Sequence, residues 1–168
     1  MTNLMIRLPP LVPLLAVLVA AGCQSAKPPE HVPLVARCFL EVRPGEAGVP
    51  VQLPVSGVRI TVGAKPVILE YDIVTAEVAR VDLGPCLLLQ LTSAAARDLY
   101  RLSVASLGRR LVLTLNDTPV GAHRIDQTIP DGTLLVFVER PDAELPLLVA
   151  RLKRTSADIT AAAARKSR

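Results

Sequence analysis

The sequence predicts an α+β domain, a mostly antiparallel sheet with two helices packed on one face. Three observations carry this expectation. Hydrophobic residues make up 51% of the chain, enough for one sizeable core and too many for a disordered chain. The periodic segments follow the order strands, helix, hairpin, strand, helix. The aromatic residues are only Phe39, Tyr71, Tyr100 and Phe137, with no Trp, so the core must be built mainly from Leu, Val, Ile and Ala.

Residues 1–22 are set apart from that domain. Met1 to Arg7 is short with one positive charge, Leu8 to Val19 is apolar, and Ala20-Ala21-Gly22 leads into Cys23. A charged start, a short apolar run and a small-residue site form a secretory signal. The run is shorter than the roughly 20 residues of a membrane-spanning helix. With Cys next, the site resembles the lipobox of bacterial lipoproteins. That resemblance implies a diacylglyceryl group on the Cys23 thiol, cleavage before it, and a membrane anchor by lipid. Gln24 in place of Asp implies the outer membrane in a two-membrane bacterium. Residues 23–33, with Pro28, Pro29 and Pro33, are then an extended tether.

The domain is expected over residues 34–154. Leu34 to Val42 reads as the first strand. Arg43 to Pro54 has loop chemistry with room for a short strand. Val58 to Val62 alternates as a half-buried strand, and Val67 to Leu69 is short and apolar. Val74 to Leu83 is a less regular strand bounded by Gly84-Pro85. Cys86 to Leu91, nearly all apolar, suits a central strand. A helix opens at Thr92 or Ser93, whose hydroxyls suit an N-cap, and stops at Gly108. Ala96, Leu99, Leu102, Ser103 and Leu107 form its inner stripe. Leu111 to Leu115 and Val120 to Ile125 form a hairpin about Asn116-Asp117. Asp131-Gly132 turns into the strand Thr133 to Val138. The last helix starts near Pro146, with Leu147, Leu148, Val149, Ala150 and Leu152 inward. Residues 155–168 read as an Ala-rich basic tail, helical but with no apolar stripe to dock it.

Charge is unevenly placed. From Arg151 onward there are six basic residues and one acid, a net of +5, while Gln24 to Ala150 carries 12 basic and 14 acidic residues. The domain is therefore not basic, and nucleic acid is not an expected partner. The tail reads either as a solvated end or as a contact for anionic lipid or cell-wall polymer.

With Cys23 acylated, Cys38 and Cys86 remain. In an oxidising compartment they are a candidate disulfide, or two buried thiols on separate strands. The two His, His31 and His123, have no metal-ligand spacing. His123 has no nucleophile elbow to serve, the acids are scattered, and no phosphate loop is present. No catalytic residue, cofactor or metal is expected, and the oligomeric state is left open.

Val67 to Lys153 resembles the head subdomain of the large periplasmic domain of SecD, an accessory subunit of the bacterial protein-export translocase. The resemblance rests on Pro66-Val67-Ile68-Leu69, Asp72-Ile73 and Thr75-Ala76-Glu77-Val78. It is clearest in Leu99-Tyr100-Arg101-Leu102-Ser103 with Leu107-Gly108-Arg109-Arg110-Leu111. It continues through Leu115-Asn116-Asp117, Val120 to Ile125, Ile129, Gly132 and Asp142 to Leu152. It covers roughly half the chain. His123 stands where the family has Pro, and Asn-Asp where it has Asp-Gly. It implies a periplasmic module that contacts translocating polypeptide or an envelope protein complex. The proton-coupling chemistry of SecD lies on transmembrane helices and does not carry over. The hairpin residues Asn116, Asp117 and His123 are the candidate partner contacts. A sheet edge that takes an added strand is a second route.

Overall fold

The computed structural model describes residues 32–166. The signal segment, Cys23 and nearly all of the tether lie outside them. The described chain forms β1 (Ala36–Leu40), β2 (Val49–Gln52), β3 (Arg59–Val62), β4 (Ile73–Val81) and β5 (Gly84–Leu91). Next come helix α1 (Ser93–Ala105), β6 (Arg110–Leu115), β7 (Thr118–Arg124), β8 (Thr133–Val138) and helix α2 (Leu145–Lys166). One-turn 3₁₀ segments, Glu70–Asp72 and Asp142–Glu144, precede β4 and α2. Six strands make one antiparallel sheet in the order β1-β6-β7-β8-β5-β4, and β2 pairs with β3 in a separate ribbon.

Alternation sorts the strands' side chains onto two faces. Leu87 and Leu89 of β5, Leu111 and Leu113 of β6, and Leu134 and Val136 of β8 are fully buried beneath the helices, with Leu99 of α1 and Leu145 and Leu152 of α2. Each such side chain contributes about 1.5–3 kcal/mol on leaving water. Across the sheet, Val112 of β6 faces the other way and meets Leu53, Ile60 and Val62 of the ribbon, with Phe39, Val51 and Ala122 at the margin. The ribbon therefore closes the second face over β1, β6 and β7. Glu139, just past β8, holds the loop after β2: its Oε2 accepts from the amides of Val55 (2.6 Å) and Ser56 (2.9 Å).

Turn and cap chemistry sets the ends. Asn116 and Asp117 both have positive φ, 47° and 63°, as a two-residue hairpin of this hand requires. The Thr92 hydroxyl accepts from the Ala95 amide at the start of α1. Gly108 follows the helix at φ 82°, a conformation that costs glycine nothing sterically.

Several expectations need correction. Cys38 and Cys86 are free thiols. They lie on β1 and β5 with β6, β7 and β8 between them, four strand spacings of about 4.8 Å in a sheet, whereas a disulfide needs Cα atoms within about 7 Å. The tail from residue 155 is helical as expected, α2 continuing to Lys166, but it is not undocked: Thr155 and Ser156 are buried. The Thr155 hydroxyl accepts from Leu34 N (2.9 Å) and donates to Arg151 O (3.0 Å). Leu147 is exposed while Leu145 is buried, so the inner stripe of α2 runs 145, 148–149, 152, 155–156. Leu107, beyond the end of α1, is exposed. Gly84-Pro85, expected to bound the strand from Val74, lies past the end of β4 and opens β5, opposite Val81 and Arg80. Pro85 is tolerated there because the β8 ladder begins only at Leu87.

Candidate functional site

The charged side chains of the described residues chiefly hold the frame. Arg110 at the start of β6 grips Glu41 with both ends of its guanidinium, Nε to Oε2 at 2.9 Å and Nη2 to Oε1 at 2.6 Å. That hydrogen bonding holds the Glu41 carboxyl below the usual carboxylate range. Arg37 on β1 pairs with Glu70 in the same way, at 2.8 and 3.2 Å, and lowers its carboxyl likewise. Both pairs tie the first strand to its neighbours. Bidentate, part-buried pairs of this kind are more effective than exposed ones. The described residues contain no group of three or more His, Cys, Asp or Glu able to hold a metal ion. A cleft of about 430 Å³ has Arg43, Arg59 and Arg109 on its lining, but Arg109 is committed to the Glu41 carbonyl and the Ser106 hydroxyl.

The three hairpin residues separate. Asn116 and Asp117 are exposed at the β6–β7 turn, yet the turn is fastened to the chain before β1 rather than projecting. Asn116 Oδ1 accepts from Val35 N at 2.8 Å, Asn116 N donates to Val35 O at 2.8 Å, and Asp117 lies 3.4 Å from Arg37. His123 is near the other end of β7, opposite Leu111, and half-buried. Desolvation lowers its pKa from the ordinary 6.5, against a hydrogen bond with the Leu135 backbone and the nearby Asp126. The hairpin does not bring His123 to the tip, because β7 carries it five residues back along the sheet.

Among the described residues the sheet has one open border. The outer edge of β1 is bonded to the chain that follows the ribbon: Cys38 N donates to Ile68 O (2.9 Å), Val67 N to Cys38 O (2.8 Å) and Gly63 N to Leu40 O (2.9 Å). At the opposite border β4 pairs only with β5, and no backbone hydrogen bond meets its outer side among the described residues. This edge is nine residues long, longer than an average strand. Val74, Val78 and Val81 are exposed along it, and Leu83 at the β4–β5 turn is 84% exposed. A register shift between Ile73 and Thr75 marks a bulge at Val74.

Helix α2 lies along β4. Between the start of β4 and the second half of the helix runs a groove of about 530 Å³. Val74 and Thr75 form one wall; Ala157, Thr160 and Ala161 are on the other, with Lys153 at one end. Lys153 Nζ is 3.9 Å from Glu77 Oε1, both substantially exposed. The small residues at 157 and 161, one helical turn apart, are visible in the sequence. That α2 stays docked so far, and that β4 is a border, are not.

No protein-family model matches the chain, and no curated protein does. Solved structures do. A structure of SecDF, a membrane component that enhances protein export, aligns with TM-score 0.56 and 16% identity, covering 73% of this chain and 63% of that one. A structure of SecDF in its super-membrane-facing form aligns with TM-score 0.57 and 17% identity, covering 71% of this chain and 18% of that one. The chain thus spans less than two thirds of either of these structures. The fold is that of the SecD periplasmic head, over more of the chain than the half in which the sequence resemblance is carried.

Proposed function

We propose that this chain is a non-catalytic, lipid-anchored module of the bacterial cell envelope that binds extended polypeptide on the periplasmic side. The SecD-head fold supports it, because SecDF enhances protein export. The signal and Cys23 supply export and the anchor, facing the periplasm and placed at the outer membrane by Gln24. No helix among the described residues is long and apolar enough to cross a membrane, so anchoring in this reading falls to the lipid.

The observation that carries the reading is the nine-residue edge of β4, unpaired among the described residues. A row of backbone donors and acceptors at a sheet border is matched by another extended chain. The arginine–carboxylate pairs, by contrast, hold turns and strand ends and converge on no reacting group. The test is binding of a permanently unfolded, carboxymethylated polypeptide to the mature chain, measured by fluorescence anisotropy beside the same polypeptide in its folded form. The expected result is saturable binding of the unfolded form only. Equal binding of both forms, or of neither, contradicts the reading.

A further inference from the structure

We infer that an extended polypeptide binds as an added strand on the outer edge of β4, with its inward side chains seated against the small-residue face of α2. This rests on the polypeptide-binding reading above and specifies its site and its ligand chemistry. Edge and groove lie together: Val74 and Thr75 belong both to the open border and to the wall of the groove. A strand laid beside β4 places alternate side chains on the helix side of the sheet. There it meets Ala157, Thr160 and Ala161. Residues this small leave room for the guest, so the chemistry selected is a bulky aliphatic or β-branched side chain at every second position.

The opposite flank of the added strand faces away from α2 and tolerates polar residues. Charge adds a second preference. Lys153 stands at the groove with the exposed Glu77 beside it, at 3.9 Å, and Arg80 is exposed further along the edge. An acidic residue in the guest, next to an inward aliphatic one, satisfies Lys153 when the weak pair with Glu77 opens. The border is not strongly guarded against pairing. It has no proline or lysine of its own, and its bulge is confined to Val74. Its composition, Val74, Thr75, Val78 and Val81 among nine residues, favours the extended state.

The experiment uses the mature lipidated chain in detergent and three labelled twelve-residue peptides with Val and Thr at alternate positions and one Glu. One peptide is unmodified, one is N-methylated on the odd residues and one on the even residues. Methylation removes amide donors on one edge only and keeps every side chain. The unmodified peptide and one methylated form should bind alike, and the other should lose at least tenfold. Ala161→Trp, an exposed substitution that fills the groove, should weaken the unmodified peptide at least tenfold with unchanged circular dichroism. Asn116→Ala/Asp117→Ala should bind as the parent does. Equal binding of both methylated peptides overturns strand addition. Full binding by Ala161→Trp overturns the site while leaving polypeptide binding standing. A parent chain that binds neither peptide nor carboxymethylated polypeptide removes the functional reading itself. If sedimentation shows a dimer that Ala161→Trp dissociates, a second copy takes the edge and the proposal fails.

Discussion

Replacing Gly121 with alanine places a methyl group where β7 and β8 come closest. These two strands join the β1-β6-β7 half of the sheet to the β8-β5-β4 half, through only two residue pairs, Gly121 with Val138 and Ala122 with Phe137. A Cβ at Gly121 would lie 2.8 Å from Val138 Cα and in hard overlap with the Phe137 carbonyl oxygen. Carbon atoms rest at about 3.5–4.0 Å, so the strands must part by about 1 Å. The obstacle is backbone on both sides and cannot rotate away. Overpacking of this kind costs about 1–3 kcal/mol. The adjacent bond from Glu139 N to Val120 O, 2.7 Å, is strained with it, at a net of about 1 kcal/mol. The expected loss is about 2–4 kcal/mol, or roughly 10 °C in Tm for a domain of this size. Urea denaturation of the parent and Gly121→Ala measures it. Gly63→Ala is the control, since its Cβ would meet nothing nearer than 3.8 Å and should stay within about 0.5 kcal/mol. Gly121→Ala as stable as Gly63→Ala would refute the close seam.

Three further outcomes follow from the same structure. His123 has its folded-state pKa lowered, chiefly by burial, below the ordinary 6.5. The unfolded chain therefore takes up that proton first, and stability falls as pH drops below 6.5. His123→Asn should flatten the pH dependence of the urea midpoint between pH 7 and 5; an unchanged slope would count against the buried imidazole. Burial pushes the Cys38 thiol up to about 12, so Cys38 should resist alkylation at neutral pH, and two thiols should react after unfolding without reductant; none reacting would restore the disulfide. Cys23→Ser should abolish palmitate labelling and release the protein from the membrane fraction, whereas unchanged labelling would show that the lipobox reading is wrong.

Much of the fold is legible in the sequence, where local chemistry and burial agree. The Thr92 cap, the Asn116-Asp117 turn and the alternation of residues 58–62 all lead to the observed elements. What escaped depends on partners distant in sequence. Thr155 and Ser103 are buried although polar, because each hydroxyl has a long-range amide donor: Leu34 N for Thr155, and Ile129 N at 3.0 Å for Ser103. Ser103 was placed inward by its spacing. The sequence puts Thr155 in the tail, because a stripe defined by apolar residues ends at Leu152. The ribbon of β2 and β3 was seen only as a possible short strand and a separate one, since pairing across a Pro- and Gly-rich loop leaves no periodic trace. Of the two readings of Cys38 and Cys86, the structure has two buried thiols on separate strands, and composition cannot decide between the readings because strand order determines which strands are neighbours.

The candidate site was half legible. The hairpin turn at Asn116-Asp117 is legible, but its fastening to Val35 and Arg37 is not, nor is the half-burial of His123 further back on the same hairpin. A sheet edge was expected without being identified. β4 reads like any irregular strand, and only the order of the six strands makes it a border. Site-specific photocrosslinking from position 78 in intact cells, with position 117 as the comparison, tests where polypeptide is met. Position 78 should form adducts with exported chains that vanish when export is blocked, and position 117 should not; adducts from 117 alone, or from neither, would contradict binding at the β4 edge.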